Sequence, residues 1–424
     1  VLNGVENTVR DTTDRVGDAV EETAGTVTET VRGTTGTVTE TVGGTTGAVT
    51  DTLGNVLEQT SGVRDAAGRP RDPKVLELDH DGARVVRGVV LALALSDQGR
   101  SAAAALSIGI GSSEQFTSLG LAVTKLELPE GMSATSAVAS LRAADPAGIY
   151  DYDHVYDPTG DGTAATRAVA KETKPGARPR IGMIDSGIEL DHPALRDGQV
   201  ETKNTVEGIR GDHPSVHGTA VASLLVGQDR DFQGALPGAA LFAADAFCGA
   251  ADGGAADDIA RALAWLVEKE VPVINVSMAG PKNALLEAAV RATIARGHVV
   301  VASVGNDGPA VGVRYPAAYQ GVVAVTSVDA NDRVQIDANR GPEVAFAARG
   351  VGVRAATLSG GYGTVTGTSF ATPVVAGRFA ALVPRPDKGL ADGARAKLIS
   401  AVRAPDKTSH DLAYGYGIVE IARP

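Results

Sequence analysis

Four polar residues stand where short apolar runs give way to turns. Asp185 closes IGMID and precedes Ser186 and Gly187; His217 opens HGTAVASLLVG; Asn306 follows HVVVASVG in the turn GNDGP; Ser369 lies near the start of GTSFATPVVAG. A serine is a poor nucleophile at neutral pH. It needs an imidazole to take its proton and a carboxylate to hold the other ring nitrogen in the right tautomer. Asp185, His217 and Ser369 supply one of each. A helix start at Ser369 adds unpaired backbone N–H groups for an oxyanion, and Asn306 offers a second donor. Singly, each residue has a plainer job. Ser369 suits an N-cap with Pro373 in the first turn, Asp185 a turn former, His217 a helix start, and Asn306 a left-handed loop position. What favours chemistry is that all four contexts fall in one α/β region, in the chain order Asp, His, Ser.

That region runs from about Pro179 to Pro424. IGMID, ALFAADAF, VPVINVS, HVVVASVG and GVVAVTSV are short runs rich in β-branched residues, separated by helix-like DDIARALAWLVEKE and ALLEAAVRATIARG. Apolar strands alternating with helices predict a parallel sheet covered on both faces, with functional residues at the carboxyl ends of the strands.

Two further regions precede it. Residues 1–65 carry Val5, Val9, Val16, Val20, Val27, Val31, Val38, Val42, Val49 and Leu53 in alternating steps of four and seven, an 11-residue period filled with Thr and Gly. The stripe would stay on one narrow face of a helix, but Thr and Gly make that helix marginal, so a helical or disordered arm is expected. Its first 60 residues hold three arginines against ten acids, a balance that disfavours anionic lipid. A membrane or a helical partner for the arm stays open. Residues 74–157 read as a small α+β unit: Val85 to Leu95 and Leu121 to Leu128 carry strand periodicity, SATSAVASLRAADP is a helix capped at Ser133 or Ser136, and IYDYDHVYDP is a final edge strand. Residues 158–178, rich in Gly, Pro, Thr and charge, read as a linker exposed to proteases.

The 424 residues are 43% hydrophobic, enough for a sizeable core. A net charge of −12 argues against a nucleic-acid surface. Cys248 is the single cysteine, which excludes an internal disulfide and a multi-cysteine metal cluster. The longest apolar candidate, Val85 to Leu95, is too short to span a bilayer.

IGMIDSGIELDHP, HGTAVASLLVG, VASVGNDGP and GTSFATPVVAG resemble the four signature blocks of the subtilisin-like serine proteases, the subtilases. The resemblance runs from about Pro179 to the end and includes DLAYGYGIVEIA. It implies a three-layer subtilisin-like fold in which Asp185 orients, His217 acts as base and then acid, Ser369 attacks, and Asn306 with the Ser369 N–H holds the oxyanion. It further implies that NVSMAG pairs with substrate backbone, so that Ser277, Met278, Ala279 and Gly280 form one pocket wall and Ala302, Ser303, Val304 and Gly305 the facing one. Some positions depart from the family pattern. Ala220 stands where many relatives carry a second histidine, Phe370 where many carry methionine, and Met278 and Ala279 replace the more usual residues of the substrate strand. No cofactor is required; the aspartates of DYDHVYDPTGDG lack calcium-loop spacing, so calcium stays open without being indicated.

LGLAVTKLELPEGMSATSAVASLRAADPAGIYDYDHVYDP is similar to the α+β propeptides of many subtilases. This implies intramolecular inhibition, with Tyr152 to Pro158 at the cleft. The expected function is serine endopeptidase action on protein or peptide substrates, by a self-inhibited precursor acting in a secreted or periplasmic setting. The alternative is a subtilase-fold binding or anchoring protein with an occluded site.

Overall fold

A computed structural model describes residues 76–163, 178–211, 213–250, 253–403 and 410–420. The repeat arm, residues 164–177 of the expected linker and the last four residues lie outside the described residues. The upstream elements are β1 (Leu76–Leu78), β2 (Arg84–Leu93), α1 (Asp97–Ala105), β3 (Gly109–Phe116), β4 (Leu121–Glu127), α2 (Ala134–Ala144), β5 (Ile149–Pro158) and β6 (Asp161–Thr163). There follow β7 (Arg180–Asp185), β8 (Val200–Asn204), α3 (Val216–Val226), β9 (Gln228–Asp229), β10 (Phe232–Gln233), β11 (Ala240–Asp245), β12 (Gly254–Ala255), α4 (Ala256–Glu268), β13 (Val273–Val276) and β14 (Met278–Ala279). The chain then forms α5 (Ala284–Ala295), β15 (Val299–Ser303), β16 (Val323–Val328), β17 (Val344–Arg349), β18 (Val353–Ala356), β19 (Tyr362–Thr366), α6 (Thr368–Ala380), α7 (Lys388–Ala401) and β20 (Ile418–Val419).

The β-branched runs assemble into one parallel sheet of eight strands, ordered β20-β17-β16-β15-β13-β7-β11-β8. Its side chains alternate between two cores, as the two-residue period of a strand requires. Ile181, Met183, Val273, Val299, Val301, Val323 and Val325 pack with Val221 and Leu225 of α3 and Val374 and Val375 of α6. Ile184, Ile274, Val276, Val300, Ala302 and Ala324 pack on the other face with Ile259 and Leu263 of α4 and Leu285 and Leu286 of α5.

Upstream, β2, β3, β4 and β5 form an antiparallel sheet in the order β5-β2-β4-β3, with β1 on β2. One face buries Val90, Ala92, Leu126, Tyr150 and Tyr152 against Ala102 and Ala103 of α1 and Val138 and Leu141 of α2. Ser133 is the α2 cap, its side chain accepting from Ser136 N. From the other face Leu91, Phe116 and Val123 enter the same apolar cluster as α4 and α5, so this sheet shares a core with the parallel one.

Strand β5 is not the edge expected from its sequence. It pairs antiparallel with β2 over Ile149–His154, then with β12 (Tyr156 with Gly254, Val155 with Ala255) and β14 (Pro158 with Met278, Asp157 with Ala279). Residues 161–163, assigned to a linker by composition, form β6 and pair with β19. Over Val155–Pro158 the backbone groups that would make β5 an exposed edge are thus taken by strands from after residue 179.

Candidate active site

Asp185 is the last residue of β7, and His217 is the second residue of α3, whose cap Ser215 accepts from His217 N. The two side chains meet in the interior. Asp185 Oδ1 lies 2.8 Å from His217 Nδ1 and also accepts from Ser186 N at 2.7 Å and Ser186 Oγ at 3.1 Å. A carboxylate there requires the proton on Nδ1, which leaves Nε2 a lone pair. Nε2 is buried with no hydrogen-bond partner.

Ser369 is the second residue of α6 and is not the cap; Gly367 holds that position. A Cβ at Gly367 would lie 2.4 Å from Thr159 O and 2.5 Å from Gly160 Cα, so the close passage of the 159–160 backbone requires glycine there. Pro373 falls in the second turn of α6, deeper than the first turn expected for it. It has no N–H for the Ser369 carbonyl, and Ser277 Oγ donates to that carbonyl instead, at 3.0 Å.

Thr159, which sequence reasoning missed, sits directly on the serine. Ser369 N donates to Thr159 O at 3.0 Å, and Thr159 N donates to Ser369 Oγ at 3.0 Å. The Thr159 hydroxyl touches Ser369 Oγ and donates to Ser303 Oγ at 2.7 Å. The Ser369 hydroxyl itself donates to Ser277 O at 2.9 Å. In this rotamer the serine faces the Thr159 backbone, and the third leg of a relay, from Oγ to His217 Nε2, is not formed.

Asn306 lines the cleft with Thr159 and Gly160. Its Oδ1 accepts from Thr368 Oγ1 at 3.0 Å, Thr368 N at 3.2 Å and Gln335 Nε2 at 3.4 Å, which leaves the donor end, Nδ2, for the cleft. Left-handed backbone in this loop belongs to Gly305 (φ 105°) and Gly308 (φ 103°), not to Asn306.

The expected pocket walls divide. Met278 and Ala279 pair with β5, and Gly280 exchanges backbone bonds with Tyr315 (Gly280 N to Tyr315 O 2.9 Å, Tyr315 N to Gly280 O 3.1 Å). Asn275 belongs to the central strand β13, and its Nδ2 donates to Ser277 Oγ at 2.8 Å. On the facing side Ser303 reaches Thr159, whereas Ala302 and Val304 are fully buried in the core with α4 and α5. Their apolar side chains serve packing because a strand can send only every second residue toward the cleft. A Cβ at Gly305 would crowd Asn339 and Arg314. The second rail, Gly254–Ala255, was also missed: two small residues in a Gly/Ala-rich loop carry no periodicity.

Behind the pair, Asp245 of β11 stands opposite Asp185 across the ladder. Burial pushes the Asp245 carboxyl up and Asp185 adds to this, against the pull of the Cys248 and Phe247 amides and of His213. Among the described residues, Asp79, His80 and Asp81 form the one group with metal-ligand spacing. Asp79 already binds His154 Nε2 at 3.0 Å and the amides of Asp81 and Ala83.

A parallel sheet that delivers an aspartate, a histidine and a helix-borne serine to one end defines a serine hydrolase of the subtilisin-like α/β class. A family model described as the Subtilase family matches residues 176–417. The chain is 30% identical over 252 residues to subtilisin DY of Bacillus licheniformis, covering 58% of this chain and 90% of that one. It is 28% identical over 263 residues to subtilisin E of Bacillus subtilis (strain 168), covering 59% and 68%. Among solved structures, fervidolysin from Fervidobacterium pennivorans, a keratinolytic enzyme related to subtilisin, superposes with a TM-score of 0.64 at 19% identity, over 85% of this chain and 63% of that one. The chain belongs to the subtilase family of serine endopeptidases. No helix of the described residues is long and apolar enough to cross a membrane.

Proposed function

We propose that Ser369, His217 and Asp185 hydrolyse peptide bonds through an acyl-enzyme, and that residues 76–159 are a tethered inhibitor lying in the cleft as an uncut substrate. The observation that carries this reading is the 3.0 Å bond from Ser369 N to Thr159 O, with the chain paired as a strand on both sides of the Thr159–Gly160 bond. The first bond cut is then Thr159–Gly160. Ser369 Oγ turns from Ser277 O toward His217 Nε2, gives up its proton there and attacks the Thr159 carbonyl carbon. Negative charge develops on the oxygen already held by Ser369 N, with Asn306 Nδ2 as the second donor. His217, its Nδ1–H held by Asp185, returns the proton to Gly160 N as the C–N bond breaks, and water activated by His217 then hydrolyses the ester. The released strand end remains on β12 and β14, where tethering and backbone pairing keep the cleft covered.

A fluorophosphonate probe tests this. Ser369 is expected to label after residues 76–159 are displaced, and not while they occupy the cleft. Absence of label in both states, in a chain as thermally stable as Ser369→Ala, contradicts the peptidase reading and favours a binding protein with an occluded site.

A further inference from the structure

Strand β5 displays what the cleft accepts, and the residue it buries most completely there is Tyr156. Counting back from the bond at Ser369, Thr159 is first, Pro158 second, Asp157 third and Tyr156 fourth. Asp157 is exposed and pairs with Arg84, while Tyr156 is 0% exposed and belongs to the apolar cluster of α4, α5, Val276 and Met278. The socket is cut to a ring. A Cβ at Gly280 would lie 2.5 Å from Tyr156 Cδ1, so that wall can only be glycine while the ring is in place. The far end of the socket is polar. Tyr156 OH donates to Pro281 O at 2.7 Å, beside Tyr319, whose hydroxyl accepts from Asn283 N and donates to Asn283 O, both at 2.9 Å. Asn283 caps α5 and its Nδ2 donates to Tyr152 O at 2.8 Å, which anchors this end of the socket to a helix start. Burial, and after it the neighbouring Tyr319, holds the Tyr156 phenol well above its ordinary pKa, so it remains a donor throughout the working pH range.

We propose that this enzyme selects substrates carrying tyrosine, in preference to phenylalanine or an aliphatic residue, at the fourth position before the cut bond, and that the Pro281 carbonyl reads the phenol. The inference rests on the reading of β5 as an uncut substrate. An apolar socket alone would favour phenylalanine at least as well as tyrosine. The half-buried Pro281, whose carbonyl meets the ring's end inside a socket that a fully buried ring fills, reverses that order, because phenylalanine would fill the same space and leave Pro281 O without the phenol donor.

The test uses the full chain after it has released its own upstream segment. Peptides X-Asp-Pro-Thr-Gly with X as Tyr, Phe, Leu or Ala are compared for cleavage after Thr. Tyr is expected to exceed Phe by about 10-fold in kcat/KM, and Ala by about 100-fold or more. Gly280→Ala should lower cleavage of the Tyr and Phe peptides by a larger factor than cleavage of the Ala peptide. In a second measurement, a released segment carrying Tyr156→Phe should dissociate about 10-fold faster than the native one. Phe peptides cut as well as Tyr peptides overturn the inference and leave the peptidase reading standing. No cutting of any peptide, with Ser369 unlabelled by fluorophosphonate, overturns both.

Discussion

At the residue scale, the chemistry divides between groups that react and groups that aim them. Asn306 presents its donor end because three donors occupy Oδ1, one of them from Gln335, whose Oε1 in turn accepts from Ser327. Asn306→Leu should lower kcat by about 100- to 1,000-fold while KM moves little, since the interaction strengthens only as the oxyanion forms. Gln335→Glu replaces the donor facing Asn306 with an acceptor; a kcat loss of about 10-fold at nearly constant KM is expected from steady-state kinetics. Phe370 lies 5.2 Å from the His217 ring, and a Cβ at Gly160 would come within 2.4 Å of its Cε2. Peptides with glycine after the cut bond should therefore be preferred, and Phe370→Ala should relax that preference. With no thioether at 370, peroxide should inactivate slowly, whereas Phe370→Met should make loss rapid. The residues proposed to react could be singled out in the sequence because each sits in a short local motif at the end of an apolar run. Thr159 and Gln335 were not, because their roles come from partners 210 and 29 residues away in the chain.

At the scale of elements, strand β5 needs two short rails. β14 was legible within NVSMAG; β12 was not, since a two-residue strand has no periodicity to read. The expectation of β5 as an edge followed from its place at the end of the upstream unit, and pairing with β12 and β14 overrode it. The same geometry explains why α6 starts as it does: Gly367 admits the passing backbone, and Pro373 frees the Ser369 carbonyl for Ser277. Gly367→Ala should therefore slow processing at Thr159–Gly160 while α6 itself still folds, a combination that far-UV circular dichroism alongside gel analysis would detect. The parallel sheet was the most legible part, because its two-sided burial writes continuous β-branched runs.

At the scale of the molecule, the upstream sheet is held on the catalytic part by a buried ionic cluster as well as by apolar contact. Lys125 of β4 meets Asp257 at 2.6 Å, Glu114 of β3 meets Arg261 at 2.7 Å, and Asp153 of β5 accepts from Asp257 N at 3.3 Å, with Asp258 on the far side of Arg261 at 2.7 Å. Burial, with Asp257 next, pushes the Asp153 carboxyl well above its ordinary value of 3.8. Burial would raise Asp257 too, but Lys125 and Arg261 outweigh it and hold that carboxyl below 3.8. Asp153 thus keeps a proton when docked that it would lose when free. Docking gains from this group in acid, and the gain is lost as pH rises from 3.8 toward the raised value. The contribution of Asp257 is lost only below 3.8, outside that window. Burial, with Asp257 next, also pushes the Asp258 carboxyl well above 3.8, so release of the cut segment, followed between about pH 4 and 8, should accelerate with pH, and Asp153→Asn should weaken the dependence. The central claim is that residues 76–159 lie across Ser369 as its first substrate, and intact-mass analysis of the purified chain over time tests it most directly. The account predicts a single cut that creates a new amino terminus at Gly160 in the native chain and none in Ser369→Ala. A native chain that stays whole under conditions where Ser369 labels, or a Ser369→Ala chain cut at the same bond, would contradict it.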